Sequence, residues 1–156
     1  MADLSCQEPM QGNHCWGCGA LNEQGLQIRS YWDGDESVCT WTPGRQYMAG
    51  PRHVVNGGII TSLIDCHSIC TAIAKAYDLE GRPIGAPPTI WYVTGSVQVT
   101  FRRPTSINDP VTLRARIVER TEKRTNLICT LYSNDEECAS GNLVAVRVPP
   151  AWLESP

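Results

Sequence analysis

The residues whose types and spacing could do chemistry concentrate between positions 53 and 67, in the run His53-Val54-Val55-Asn56-Gly57-Gly58-Ile59-Ile60-Thr61-Ser62-Leu63-Ile64-Asp65-Cys66-His67. Two glycines at the start of a helix let a ligand or another backbone come close. The first helical N–H groups have no intrahelical partner and lie at the positive end of the helix dipole. A helix opening at Gly57 can therefore hold a carbonyl oxygen as it gains negative charge. The same residues also read as an ordinary cap, because Asn is a favoured N-cap residue. Asp65 is the second element. A carboxylate on an otherwise largely apolar helix is costly unless it is paired or working, so Asp65 is either an acid–base group or a structural residue paired, for example, with Ser62 or Ser68. Eight residues of helix put Gly57 and Asp65 about 12 Å apart. Reacting atoms must approach to about 3–3.5 Å. If both act on one carbonyl carbon, they come from different subunits, with two helices antiparallel across a dimer axis. His67 lies about 200° around the helix from Asp65, which argues against a dyad within one chain and for a partly buried structural histidine.

Two other groups invite chemistry. His14-Cys15-Trp16-Gly17-Cys18 suggests zinc, but one Cys-x-x-Cys supplies two ligands and a structural zinc site needs four. Further ligands would have to come from Cys6, Cys39 or His53, so no metal is expected. A thioredoxin-type role lacks its βαβ context. Arginine outnumbers lysine 11 to 2. Arg45 and Arg52 flank the loop before the helix, and Arg102 and Arg103 end a long strand. Such residues can hold phosphates bidentately at a pocket mouth, or form a solvated strand edge. Nucleophile elbows, phosphate loops and dinucleotide fingerprints are missing from the sequence.

The elements that must position these residues follow from the rest of the chain. Its 156 residues fit a single domain, with 42% hydrophobic residues for a core and 19% charged. The net charge of −3 argues against a nucleic-acid binder. No run of about 18 consecutive apolar residues suggests a membrane span. The first residues carry no signal-peptide pattern, and the eight cysteines are read as free thiols of a cytoplasmic protein, with Cys66 and Cys70 in an apolar stretch as small buried hydrophobes. Residues 1–24 are polar and turn-rich. Strands are expected at 26–32 and 37–41, joined by the turn signal Asp33-Gly34-Asp35-Glu36. From Gly57 to about Tyr77 apolar residues fall at helical spacing over a wide face, leaving a narrow stripe of Thr61, Asp65, Ser68 and Ala72. Gly81 and Pro83 lie just beyond the helix end. Strand-like blocks follow at 90–102, 110–120, 124–133 and 142–149. With no helices between the later strands, the sheet should be antiparallel, and one long apolar helix must pack on it in an α+β fold.

Three motifs carry a resemblance. Cys15-Trp16-Gly17-Cys18-Gly19 is followed by Asn22, Gly25 and Leu26. Asn56-Gly57-Gly58 is followed by Leu63 and Asp65. Val97, Val99 and Phe101 lead to Arg103-Pro104. In order and spacing these resemble the hotdog-fold acyl-CoA thioesterases, in particular the phenylacetate-pathway-type branch. The resemblance implies a sheet of five or six strands wrapped around the helix, paired into homodimers and often dimers of dimers. It implies hydrolysis of an acyl-CoA thioester at the dimer interface with no cofactor. By motif position, Gly57 would polarise the thioester carbonyl through its N–H, and Asp65 would be general base or nucleophile. Asn56 and Thr94 would belong to the catalytic site, and Gly58, Ser68, Arg102 and Arg103 would contact substrate.

One departure matters: the family's first motif residue is usually His, and here it is Asn56, whose amide cannot titrate near neutral pH. That keeps a second class open, a non-catalytic acyl-CoA or acyl-carrier binding protein. A third, a dehydratase, would need His53 or His67 near the thioester. Trp91, Tyr92 and Phe101 could line an aromatic acyl pocket or simply be core.

Overall fold

The computed structural model describes residues 3–154. Its elements are β1 (Ser30–Asp33), β2 (Glu36–Trp41), α1 (Gly57–Leu79), β3 (Trp91–Phe101), β4 (Val111–Arg120), β5 (Arg124–Ser133), β6 (Glu136–Val148) and a short α2 (Pro150–Leu153). The six strands form one antiparallel sheet in the order β1-β2-β4-β5-β6-β3. α1 packs across it, as the α+β reading requires. The helix starts where Asn56 Oδ1 accepts the N–H groups of Gly58 (2.8 Å) and Ile59 (3.3 Å). It ends where Gly81 takes φ +66, and the Arg82 N–H returns to the Tyr77 carbonyl.

Ile60, Leu63, Ile64, Ile73 and Tyr77 of α1 are buried together with Leu113, Leu127, Leu131 and Leu143 of the sheet. Each such side chain contributes about 1.5–3 kcal/mol on burial. α1 is long and apolar enough to cross a membrane, although Asp65 and Lys75 interrupt its apolar run. In this fold 67% of that stretch is buried inside the protein.

Two strand boundaries differ from the sequence reading. β1 begins at Ser30 rather than 26, because Gln27 takes φ +52 and breaks the extended chain; Leu26 and Ile28 are buried from a loop instead. β6 begins at Glu136 rather than 142. Only Asn134 and Asp135, both at positive φ, make the turn, and Glu136 already faces Ser133 of β5. A two-residue hairpin of this kind requires positive φ at both positions, which Asn and Asp tolerate.

The N-terminal segment is irregular, as expected, yet it covers α1. Cys6, Gln7, Met10, Asn13 and Cys18 are buried beneath it. Gln7 Nε2 donates to Ser30 Oγ (2.7 Å), and the Ser30 N–H donates to Gln7 Oε1 (2.8 Å). His67 completes this network and is wholly buried, not partly so. Its Nε2 lies 2.8 Å from the Ser37 carbonyl, an acceptor only, so Nε2 carries the proton. Nδ1 then accepts from the Ser30 hydroxyl at 2.7 Å.

Burial pushes the His67 pKa down from 6.5 to about 4, against the raising effect of the Ser37 hydrogen bond. Below pH 6.5 the unfolded chain takes up a proton that the folded chain refuses. Stability is therefore full above pH 6.5 and falls as pH drops towards 4, by about 3 kcal/mol for a shift of this size. Denaturant unfolding measured from pH 7.5 to 4 should show that loss. His67→Gln keeps a donor and an acceptor but cannot titrate, and should flatten this part of the profile. An equal slope in the variant would contradict the assignment.

Candidate active site

Asp65 sits two turns into α1, on the stripe that neither the sheet nor the N-terminal segment seals. Its carboxylate Oδ1 accepts a 2.5 Å hydrogen bond from the Thr94 hydroxyl of β3. The partner is thus Thr94, not Ser62 or Ser68. Ser62 instead donates to the Gly58 carbonyl and Ser68 to that of Ile64. Burial raises the Asp65 pKa above the ordinary aspartate value, and the Thr94 bond partly opposes it. The result is a half-buried carboxylate with a strengthened affinity for a proton, held in one orientation, which suits a general base. Thr94 stands at an irregularity in the β3–β6 register, between Thr94 and Ser96, that re-aims the strand there.

The other end of the stripe is the α1 N-terminus. With Gly58 and Ile59 N–H groups taken by Asn56, the Gly57 N–H makes no hydrogen bond among the described residues. Gly57 faces the Phe101 ring: a Cβ on it would stand 3.5 Å away, ordinary contact distance. A groove of about 360 Å³ opens beside it, lined by Val54, Ile60, Phe101, Arg102 and Arg103 among others. Arg102 pairs with Glu137 (3.3 Å) and Arg103 with Glu136 (3.6 Å), both exposed. Such pairs contribute at most about 1 kcal/mol, so either guanidinium can be released to an anion. A larger concavity of about 970 Å³ lies at the far end of the sheet, between Glu80, Arg120 and Arg147. It contains no counterpart to the Asp65–Thr94 pair.

The structure therefore joins Asp65 with Thr94, and Gly57 with the arginine-lined groove, while Asn56 serves as the cap beside it. Within one chain it leaves the two groups on separate turns of α1. Gly58 is exposed, but its N–H is spent on the cap. Ser68 is fully buried within this chain, its hydroxyl donating to the Ile64 carbonyl. His53 is exposed on the preceding loop and His67 has both ring nitrogens engaged, so neither histidine faces Asp65. Tyr92 is core, while Phe101 is 51% exposed at the groove.

One cluster escaped the sequence reading. The Cys15-Cys18 pair was matched there with Cys6, Cys39 or His53; the structure sets Cys66 of α1 beside it instead, next in sequence to Asp65. The i, i+4 spacing of Cys66 and Cys70 on one helical face was the available signal.

The family model described as Thioesterase superfamily matches residues 53–140. No curated protein matches the chain. A thioesterase superfamily protein from Shewanella loihica is similar at 28% identity, with 78% of this chain and 91% of that one covered and a TM-score of 0.62. The E. coli PaaI protein from the phenylacetic acid degradation operon is similar at 17% identity, over 80% and 81% of the two chains, with a TM-score of 0.64. A Streptococcus mutans protein bound to acetyl-CoA is similar at 13% identity, over 83% and 97%, with a TM-score of 0.64.

The Asp65–Thr94 geometry makes a prediction independent of any substrate. Carboxyl carbon NMR should find Asp65 titrating above the ordinary midpoint of about 3.9. In Thr94→Val the bond that favours the ionised form is gone, so the midpoint should rise further. A midpoint that falls in the variant would show that Thr94 does not act on the carboxylate.

Proposed function

The chain belongs to the thioesterase superfamily, and from that premise we propose that it hydrolyses acyl-CoA thioesters at a site shared between two subunits. The observation that carries this reading is the pair of half-sites on one helix: a free N–H at Gly57, and a proton-attracting carboxylate at Asp65 eight residues further on. About 12 Å of helix separates them, so one thioester cannot use both within a chain. A two-fold axis that lays α1 antiparallel to its copy brings each Gly57 towards the partner's Asp65.

The uncovered β3 edge supports such pairing. β3 is the last strand in the sheet order, residues 94–98 are exposed, and Phe101 is exposed at its end. An open edge of that length is a template for pairing with a second copy.

In the proposed reaction the thioester carbonyl oxygen accepts the Gly57 N–H. Asp65 takes a proton from water as the water attacks the carbonyl carbon, or attacks the carbon itself, and Thr94 holds the carboxylate in line. As the C–S bond breaks, Asp65 returns that proton to the departing sulfur, giving the acid and the coenzyme A thiol; where Asp65 is the nucleophile, the thiolate leaves first, takes its proton from water, and a second water hydrolyses the acyl–Asp65 anhydride to the acid. Arg102 and Arg103 at the groove would hold coenzyme A phosphates. One observation favours a second reading, a binding protein without turnover: Asn56 is spent on the cap and brings no titratable group.

Thioester loss followed directly over short, medium, long and aryl acyl-CoAs separates the two readings. Wild type should hydrolyse at least one of them, and Asp65→Ala should lower kcat by about 10²-fold or more. Saturable binding with no hydrolysis would favour the binding protein.

Gly57 can be tested by removing its N–H alone. Proline is tolerated at the first helical position, and Asn56, at φ −59 and ψ 135, already has a backbone that permits a following proline. Gly57→Pro should cost about 10²-fold in kcat, whereas Gly57→Ala, whose Cβ meets only the Phe101 ring at ordinary distance, should stay close to wild type. Mixing Asp65→Ala with Gly57→Pro subunits should restore activity to about a quarter of wild type, since random re-pairing gives mixed dimers with one intact site each. No recovery after proven subunit exchange would rule out a shared site.

A further inference from the structure

We infer that Cys15, Cys18, Cys66 and Cys70 form a thiolate site for a tetrahedral soft divalent cation of the zinc class, which fastens the N-terminal segment to α1 beside Asp65. The sulfurs of Cys15, Cys18 and Cys66 lie within 4.8 Å of one another. Those of Cys15 and Cys66 are 3.7 Å apart. Zinc–sulfur bonds of about 2.3 Å in tetrahedral array put neighbouring sulfurs about 3.8 Å apart. The observed separation is therefore that of two ligands on one ion, and far beyond the roughly 2 Å of a disulfide. All eight cysteines are free thiols.

The fourth ligand comes from the same helix. Cys70 follows Cys66 by four residues, on the same face of α1. It is fully buried beside Cys18, outside the trio whose sulfurs lie within 4.8 Å, and closes on the ion to complete the tetrahedron. The set thus combines a Cys-x-x-Cys turn with a Cys-x-x-x-Cys helix turn, and the two pairs are about 50 residues apart in sequence.

The surroundings are shaped for the cluster. The Gly17 N–H donates to Cys15 Sγ (3.4 Å), and Asn13 Nδ2 donates to Cys18 Sγ (3.5 Å). Both stabilise negative sulfur, as supporting contacts around metal ligands do. Gly17 and Gly19 are required by close approach. A Cβ on Gly17 would lie 2.2 Å from Cys66 Sγ, and one on Gly19 would lie 2.5 Å from the Cys15 backbone nitrogen. The turn is thus pressed onto α1 at the sulfurs themselves. On binding, each ligand thiol releases its proton to solvent and the ion takes its place.

The test uses the full chain, purified without chelators or metal-affinity steps. Elemental analysis should find about one zinc per chain. Cys15→Ser and Cys66→Ser should reduce it at least tenfold, while Cys138→Ala, outside the cluster, should keep it. A second readout needs no variant. Metal-free wild type with reduced thiols, titrated with Co²⁺, should show sulfur-to-cobalt charge transfer and the intense visible bands of a tetrahedral ion. Cys70→Ser should weaken the charge-transfer band by about a quarter, the share of one thiolate in four. Absence of zinc together with an octahedral cobalt spectrum overturns the site. So does zinc that persists in Cys15→Ser and Cys66→Ser, or a Cys15–Cys66 disulfide in the wild type as purified. An unchanged band in Cys70→Ser overturns the four-thiolate set. None of these readouts depends on hydrolysis, so the cation site and the thioesterase reading stand or fall separately.

Discussion

The structure depends on how a helix that is apolar on nearly every side is covered. α1 buries thirteen of its 23 residues, more than one sheet face can shield. A sheet covers the side it packs on and leaves the other to water. Here the second cover is the N-terminal segment, which has no regular structure of its own. What remains open is the stripe from Gly57 to Asp65, and both proposed half-sites lie on it. The helix is thus core along most of its length and candidate-site surface along one margin.

An irregular cover must be held by particular contacts, because it lacks a ladder of backbone hydrogen bonds. Two such fastenings are visible. One is the chain from Gln7 through Ser30 and His67 to Ser37, which joins the N-terminal segment, β1, α1 and β2 in a single buried network. The other is the turn at Cys15–Gly19, packed against Cys66 so closely that a Cβ on Gly17 would collide with its sulfur. Both reach α1 within two residues of Asp65. The carboxylate itself is held by Thr94 of β3, and in the proposed reaction a base held in one orientation loses little to reorganisation when it acts.

The sequence was most legible where one period dominated. The helix, its Asn56 start and its Gly81 stop, and the order of strands about it all follow from hydrophobic spacing and turn chemistry. Legibility ended where tertiary contact overrode local pattern. Gln27 breaks a strand that alternation favours, and Asn134-Asp135 turn a chain that composition marks as a longer loop. The stripe read as Thr61, Asp65, Ser68 and Ala72 is open only in its first half, since Ser68 and Ala72 are fully buried and nothing local in the sequence tells where the cover begins. Cys66 and Cys70 looked like small hydrophobes because their neighbours in space come from some 50 residues earlier. Thr94 was placed by motif position, and its bond to Asp65 gives that placement a physical content.

Asn56 shows how one side chain constrains the proposed chemistry. Its amide oxygen accepts two of the first N–H groups of α1 and leaves the third, at Gly57, pointing outward. A cap that used all the early N–H groups would abolish the oxyanion donor, and one that used none would scatter their charge over several directions. This cap sorts them, so the dipole of a long helix is focused through a single group. The amide pays for that focus by contributing no proton of its own near neutral pH. With both ring nitrogens of His67 engaged in the core, the proposed chemistry assigns proton transfer at the thioester to Asp65. A carboxylate whose pKa burial has raised, and whose orientation Thr94 fixes, is the group suited to carry it.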